Sequence, residues 1–122
     1  MPTATVPLRI IQITDLHLKT KPSQLWGVDV DASLNAVLAH IQGRNPAPDF
    51  IIATGDLVGD EPEAYGRLRE LLEPLGVPVY CLPGNHDFPA VMGQVLRSGS
   101  MRWERHLVFD NWQLVLLDSS FP

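Results

Sequence analysis

Three times in this chain a short apolar, β-branched run leads without a spacer into a tight polar cluster. The runs over residues 8–13, 50–53 and 77–82 are followed by Thr14-Asp15-Leu16-His17, by Thr54-Gly55-Asp56-Leu57 and by Pro83-Gly84-Asn85-His86-Asp87. Between them lie amphipathic segments, so strands alternate with helices in the pattern of an α/β fold with an open sheet. In such a sheet the carboxyl ends of the strands line one rim, where ligands bind. Three strands therefore deliver Asp15, His17, Asp56, Asn85 and His86 to one rim, and the glycines before Asp56 and Asn85 let the chain turn sharply there.

The spacing predicts a strand over 8–14, a helix over 29–43, a strand over 50–54, a helix starting near Asp60, a strand over 77–82 and a helix over 89–96. A hairpin follows, with strands at 106–109 and 112–118 about Asp110-Asn111. In the first helix Leu34, Val37, Leu38 and Ile41 share a face, and Gly43 follows the last turn. In the second, Asp60 is read as the cap, Pro62 stands in the first turn, and Leu68, Leu71, Leu72 and Leu75 face inward. The third carries Val91, Met92, Val95 and Leu96. Pro78 marks its strand as an edge or as beginning at that proline. The stretch holding Lys19, Lys21, Pro22 and Gly27 reads as a polar loop.

Composition restricts the partners. With 122 residues, 45% of them hydrophobic and 19% charged, the chain is one globular unit able to bury somewhat under about 70% of its unfolded surface. The net charge of −5 and the presence of only two lysines among nine cations exclude a broad basic face for nucleic acid. No apolar run approaches the roughly 20 residues of a membrane span. Met1-Pro2-Thr3-Ala4-Thr5 lacks the basic start and apolar core of a signal peptide, and Cys81 has no partner for an internal disulfide. The expectation is a cytoplasmic protein without membrane or nucleic-acid partners.

Carboxylate, imidazole and amide donors together suit Mn, Fe, Zn or Mg, whereas a structural zinc site or an iron–sulfur cluster would use cysteine. Asp56 lies between the other two clusters, as a carboxylate bridging two ions would. The bland readings are that Asp87 caps a helix, His40 favours the dipole at its helix end, His106 is a surface residue and Cys81 a small core group. Trp26 either packs or stacks on a purine base. Asp60 caps its helix or orients His86, and Arg67, Arg69, Arg102 and Arg105 belong to a solvated face.

Asp15-x-His17, Gly55-Asp56 and Gly84-Asn85-His86-Asp87, in that order, resemble the first three blocks of the calcineurin-like metallophosphoesterases. Gln12-Ile13-Thr14-Asp15-Leu16-His17-Leu18, Gly27-Val28-Asp29, Leu82-Pro83-Gly84-Asn85-His86-Asp87-Phe88 and Leu116-Leu117-Asp118-Ser119 are similar to the branch of bacterial class III phosphodiesterases that hydrolyse 3',5'-cyclic AMP. The resemblance covers essentially the whole chain. It implies that Asp15 and His17 hold a first metal, Asp56 bridges, and Asn85 holds the second and meets the substrate. His86 would contact the phosphate and protonate the leaving alkoxide. Two divalent ions, Fe or Mn with Zn as a third choice, would supply a hydroxide nucleophile, and a cyclic nucleotide would open to its 5' monophosphate.

That family completes its site with later histidine blocks, and the two other histidines here, His40 and His106, stand in none. The resemblance therefore implies that residues 1–122 are the N-terminal portion of a single domain: half of an α/β sandwich, βαβαβ and then a hairpin, without its C-terminal half. Such a half would leave a sheet face open, with self-association as the expected consequence. The competing reading is a non-catalytic, metal-poor half-domain that serves as an assembly module or is a fragment.

Overall fold

Parallel pairing between successive strands sets the architecture. The computed structural model describes residues 7–120; the stretch read above for a targeting signal lies outside them. In chain order the elements are β1 (Ile10–Ile13), β2 (Gln24–Leu25), β3 (Val28–Asp29), α1 (Val30–Gln42), β4 (Phe50–Ala53), α2 (Ala64–Leu72), a 3-10 turn (Glu73–Leu75), β5 (Val79–Cys81), α3 (Pro89–Val95), β6 (Met101–Arg102), β7 (His106–Phe109) and β8 (Trp112–Val115). The main sheet is parallel, in the order β1-β4-β5-β6. Each crossover joins neighbours in the same direction, so right-handed connections stack all three helices on one face.

The period-two pattern of the strands decides what that face buries. Ile13, Ile51, Ala53, Val79, Cys81 and Met101 pack with Leu34, Leu38 and Ile41 of α1, Leu68 and Leu72 of α2, and Met92 beside Leu96 in one core. Burial pushes the Cys81 thiol up to about 12, as suits a core group. On the opposite face Phe50 stacks on Phe109 of the hairpin at 4.9 Å and meets Tyr80 edge-on at 5.4 Å. The hairpin covers only part of that face: Ile10 keeps 43% of its surface exposed and Trp112 keeps 68%.

Several expectations shift at element ends. β1 starts at Ile10 rather than at residue 8 because its ladder with β4 begins with the pair Ile10–Phe50. β8 stops at Val115 rather than at 118 because Val115 pairs with His106, the first residue of β7. Between residues 19 and 29 the polar loop contains the β2–β3 ribbon, turned at Trp26 and Gly27 with φ of 50° and 79°. Positive φ at both central residues is the type I′ pattern of tight hairpins. Strand β6 pairs with β5, so β5 is internal and Pro78 simply precedes it; the Pro78 carbonyl accepts from Ile51 N at 2.9 Å.

Two caps differ from expectation. Asp29 caps α1, accepting from Ala32 N at 3.0 Å, as its position predicts. Asp60 does not cap α2, which starts at Ala64 after an uncapped Glu63, because a φ of 61° directs Asp60 elsewhere. Phe88, not Asp87, stands at the N-cap position of α3. On the helix faces, Val37 and Val91 remain 41% and 36% exposed while Leu34, Leu38, Ile41, Met92 and Leu96 are buried. No helix among the described residues is long and apolar enough to cross a membrane.

Candidate metal centre

Beyond the carboxyl ends of β1 and β4 the two segments stay zipped together. Asp15 N donates to Gly55 O at 2.9 Å, His17 N to Asp56 O at 2.9 Å and Leu18 N to Leu57 O at 3.1 Å. These bonds hold Asp15, His17 and Asp56 at φ of 57°, 49° and 50°. For residues with a Cβ the left-handed region costs about 1–2 kcal/mol each. Such strain persists only where the surroundings over-determine it, and it concentrates at functional sites.

The strain brings donors together. Asp15, His17 and Asp56 each offer one ligand atom within 4.8 Å of the others, with His17 Nε2 3.8 Å from Asp15 Oδ1. Thr14 Oγ1 donates to Asp15 Oδ2 at 2.7 Å and fixes that carboxylate. With its amide oriented to donate, Asn85 reaches Asp56 Oδ1 at 3.1 Å and Oδ2 at 3.2 Å. His86 N donates to Asp56 Oδ1 at 3.0 Å, and its ring meets that of His17 edge-on at 5.6 Å. All five residues singled out in the sequence thus meet at one rim.

Two glycines permit the approach. Gly55 has a φ of 114°, and a Cβ there would lie 2.8 Å from Gly84 N; a Cβ on Gly84 would strike Asp56 N and its carboxylate. The donor set suits a divalent cation: two carboxylates and an imidazole held at left-handed backbone positions, with the Asn85 amide beside Asp56 and no buried lysine or arginine among them.

The sequence model of the calcineurin-like phosphoesterases matches residues 8–120. The chain belongs to that family. It is 44% identical over 115 residues to the 3',5'-cyclic adenosine monophosphate phosphodiesterase of Haemophilus influenzae, an alignment covering 92% of this chain and 42% of that protein. The 3',5'-cyclic-nucleotide phosphodiesterase of Nostoc is 38% identical over 94% of this chain and 44% of its own length. A probable glycerophosphodiester phosphodiesterase of Arcobacter nitrofigilis is 36% identical over 64% of this chain and 29% of its own. The chain spans less than half the length of these curated relatives.

Around this phosphoesterase rim the structure adds supports that the sequence did not reveal. The Asp87 carboxylate accepts from Gly84 N at 2.8 Å, from Leu57 N at 3.2 Å and from Tyr65 Oη at 2.7 Å. Tyr65 Oη in turn accepts from Phe88 N at 2.9 Å, and burial holds its hydroxyl protonated far above the usual range. Asp87 thus ties the Asp56 loop to the Asn85 loop instead of capping α3. The available signal was Tyr65 itself, an aromatic on the Leu68–Leu72 face whose hydroxyl needs a partner once buried. Tyr65→Phe strands the Asp87 carboxylate and Phe88 N together. A loss of about 1–3 kcal/mol is expected in urea unfolding, and an unchanged midpoint would remove this brace from the account.

His86 Nδ1 stands 3.0 Å from Asp60 Oδ1. That bond raises the imidazole pKa above its ordinary value; desolvation opposes it, and the charges of Asp60, Asp56 and Asp87 add to it. Of the two readings of Asp60, the one that orients His86 is the one the geometry bears out. Because the folded-state pKa is raised, whatever the pair contributes to stability is complete below the unfolded pKa and is lost as pH rises through the folded one. Both partners face solvent, so the effect belongs in the titration rather than in stability. In the metal-free protein Asp60→Asn is expected to lower the His86 titration midpoint, followed by imidazole NMR; an unmoved midpoint contradicts the pairing.

The remaining candidates lie elsewhere. His40 is exposed in the last turn of α1, and His106 Nε2 stands 3.1 Å from Gln113 Oε1 across the hairpin. Three of the arginines read as a solvated face are instead structural. Arg67 pairs with Asp31 and donates to Lys19 O at 2.9 Å, Arg69 faces Glu73 at 3.4 Å, and Arg105 lies 4.2 Å above the Trp103 ring while donating to Cys81 O.

Proposed function

We propose that this chain carries the metal-binding rim of a phosphodiesterase that opens 3',5'-cyclic nucleotides, cyclic AMP first, to their 5' monophosphates. One observation carries the reading: Asp15, His17, Asp56 and Asn85 converge with His86 beside them, in a chain whose relatives bear cyclic-nucleotide phosphodiesterase names. Asp15, His17 and Asp56 would hold one divalent cation, and Asp56 with Asn85 a second. Fe or Mn fits these donors, and Zn is accepted by the same set. Bound cations of this kind neutralise phosphate charge and lower the pKa of bound water toward neutrality.

The chain's own groups then have separate tasks. Asn85 offers an amide that can donate to a phosphate oxygen as well as bind metal. Asp60 fixes one nitrogen of the His86 ring and favours its protonated form, which leaves the other nitrogen to give its proton to the departing 3' oxygen. Among the described residues His40 and His106 stand outside the Asp15–His17–Asp56 group, and a fuller ligand set would need donors from elsewhere. We read residues 1–122 accordingly as the N-terminal portion of a single phosphoesterase domain. The competing reading, a metal-poor assembly module, draws on the small number of donors present.

The two readings separate in a chimera in which residues 7–120 replace the matching stretch of the Haemophilus influenzae relative. Conversion of cyclic AMP to 5' AMP in the presence of Mn is the expected result. A folded chimera that takes up no Mn and leaves cyclic AMP intact would sink the proposal in favour of the module.

A further inference from the structure

The β2–β3 ribbon contributes nothing to the donor cluster, yet it borders the same cleft. That cleft, of about 620 Å³, has the size of a small-molecule site and is lined by Asp15, His17, Asp56 and His86. It is also lined by Leu25, Trp26, Val28, Leu34 and Val37, none of which carries a charge. We propose that this apolar part seats the flat nucleobase of the substrate, with Trp26 stacking on the ring while the phosphate lies at the donors. The inference rests on the phosphodiesterase reading above and adds to it the residue that selects the esterified group.

Among the described residues nothing packs over Trp26. Its side chain is 94% exposed, and it sits at the ribbon tip with φ of 50°, a conformation an aromatic residue rarely adopts. Leaving so large an apolar surface in water is costly unless something covers it. The base of the ribbon is nevertheless anchored. Val30 N donates to Ser23 O at 3.0 Å, Ser23 N donates to Asp31 Oδ2 at 3.1 Å, and Asp31 is paired with Arg67. The brace fixes the backbone from which the indole projects, so only the rotation of the side chain itself remains to be ordered when a ring lands on it.

The chemistry of the lining chooses the ring. A quaternary ammonium is recognised by several aromatic faces, whereas here one indole stands among aliphatic side chains. A neutral, planar heterocycle matches that surface, and base–aromatic stacking tolerates any base because each has a π-face. Val28 and Val37, 55% and 41% exposed, would cover the edges of the ring.

Two measurements test the seat. In the chimera, the ratio of kcat/KM for cyclic AMP to that for glycerophosphoethanolamine, a phosphodiester without a ring, is expected to fall about tenfold or more in Trp26→Ala. The loss should lie in KM and be largely restored in Trp26→Phe. Equal losses on both substrates, or an unchanged ratio, overturn the proposal. In the 122-residue chain itself, the Trp26 indole N–H resonance, assigned by its disappearance in Trp26→Phe, should shift on addition of cyclic AMP and stay still with glycerophosphoethanolamine. A chimera inactive on both diesters would fail the phosphodiesterase reading alone. The indole signal would still decide the seat, upheld by a shift specific to the nucleotide and rejected without one.

Discussion

Replacing Asp56 with asparagine is expected to abolish metal-dependent stabilisation and hydrolysis together while the fold survives. The fold should survive because the variant keeps an oxygen that accepts from His86 N, now at 3.0 Å, and keeps the volume that lets Gly55 and Gly84 approach. What disappears is one of the two carboxylates in the Asp15–His17–Asp56 group. Without metal those carboxylates repel each other, so in chelator the variant should melt at the same temperature as the parent chain or slightly above it. With Mn at about 100 times its dissociation constant, the parent chain should gain about 2.7 kcal/mol by mass action, and the variant should gain almost nothing. In the chimera the rate should drop by more than about 100-fold, since loss of groups that merely orient a metal ligand already costs about 10- to 100-fold. A variant that still gains stability from Mn, or keeps activity within tenfold, would remove Asp56 from the centre of the site.

The sequence was legible where a signal is local and repeated. Helix α1 follows from Asp29 at its start and from Leu34, Leu38 and Ile41 on one face, and all four do in the structure what that spacing requires. Strand β6 has two residues, too few for any period to appear, so β5 gained an unforeseen neighbour. The β2–β3 turn carries no Asn-Gly or Asp-Gly signature, and Trp26 in a left-handed conformation is the opposite of what turn chemistry suggests.

Acids were the hardest to read. Asp60 and Asp87 both stand just before helices, where a cap is the economical reading. Their true partners are a histidine 26 residues away for Asp60, and for Asp87 a backbone N–H 30 residues away and a hydroxyl 22 residues away. Pattern reading sees only neighbours in the chain. The donor cluster escaped that limit because the parallel sheet itself aligns the ends of β1, β4 and β5, so topology supplied the long-range contact.

The same juxtaposition makes the chain acutely sensitive to a single methyl group, and alanine at three glycines should separate the causes. Gly66 lies inside α2 with open space where a Cβ would be, so Gly66→Ala should stabilise by about 0.5–1 kcal/mol through helix propensity and a less flexible unfolded chain. Gly76, at the left-handed end of the 3-10 turn with φ of 71°, is equally open, so Gly76→Ala should cost only the conformational term of about 1–2 kcal/mol. Gly55 combines a φ of 114° with a Cβ that would sit 2.8 Å from Gly84 N and 2.9 Å from its Cα. Those neighbours are backbone and cannot rotate aside, and Gly84 N is itself committed to Asp87 at 2.8 Å. Strain and overpacking of about 1–3 kcal/mol add, so Gly55→Ala should lose more than about 3 kcal/mol in urea unfolding, a large share of the 5–15 kcal/mol typical of a domain. Because relief requires the Asp56 and Asn85 loops to part, any Gly55→Ala protein that folds should also bind Mn more weakly. If Gly55→Ala costs no more than Gly76→Ala, the loops are not in the close contact on which the donor cluster depends.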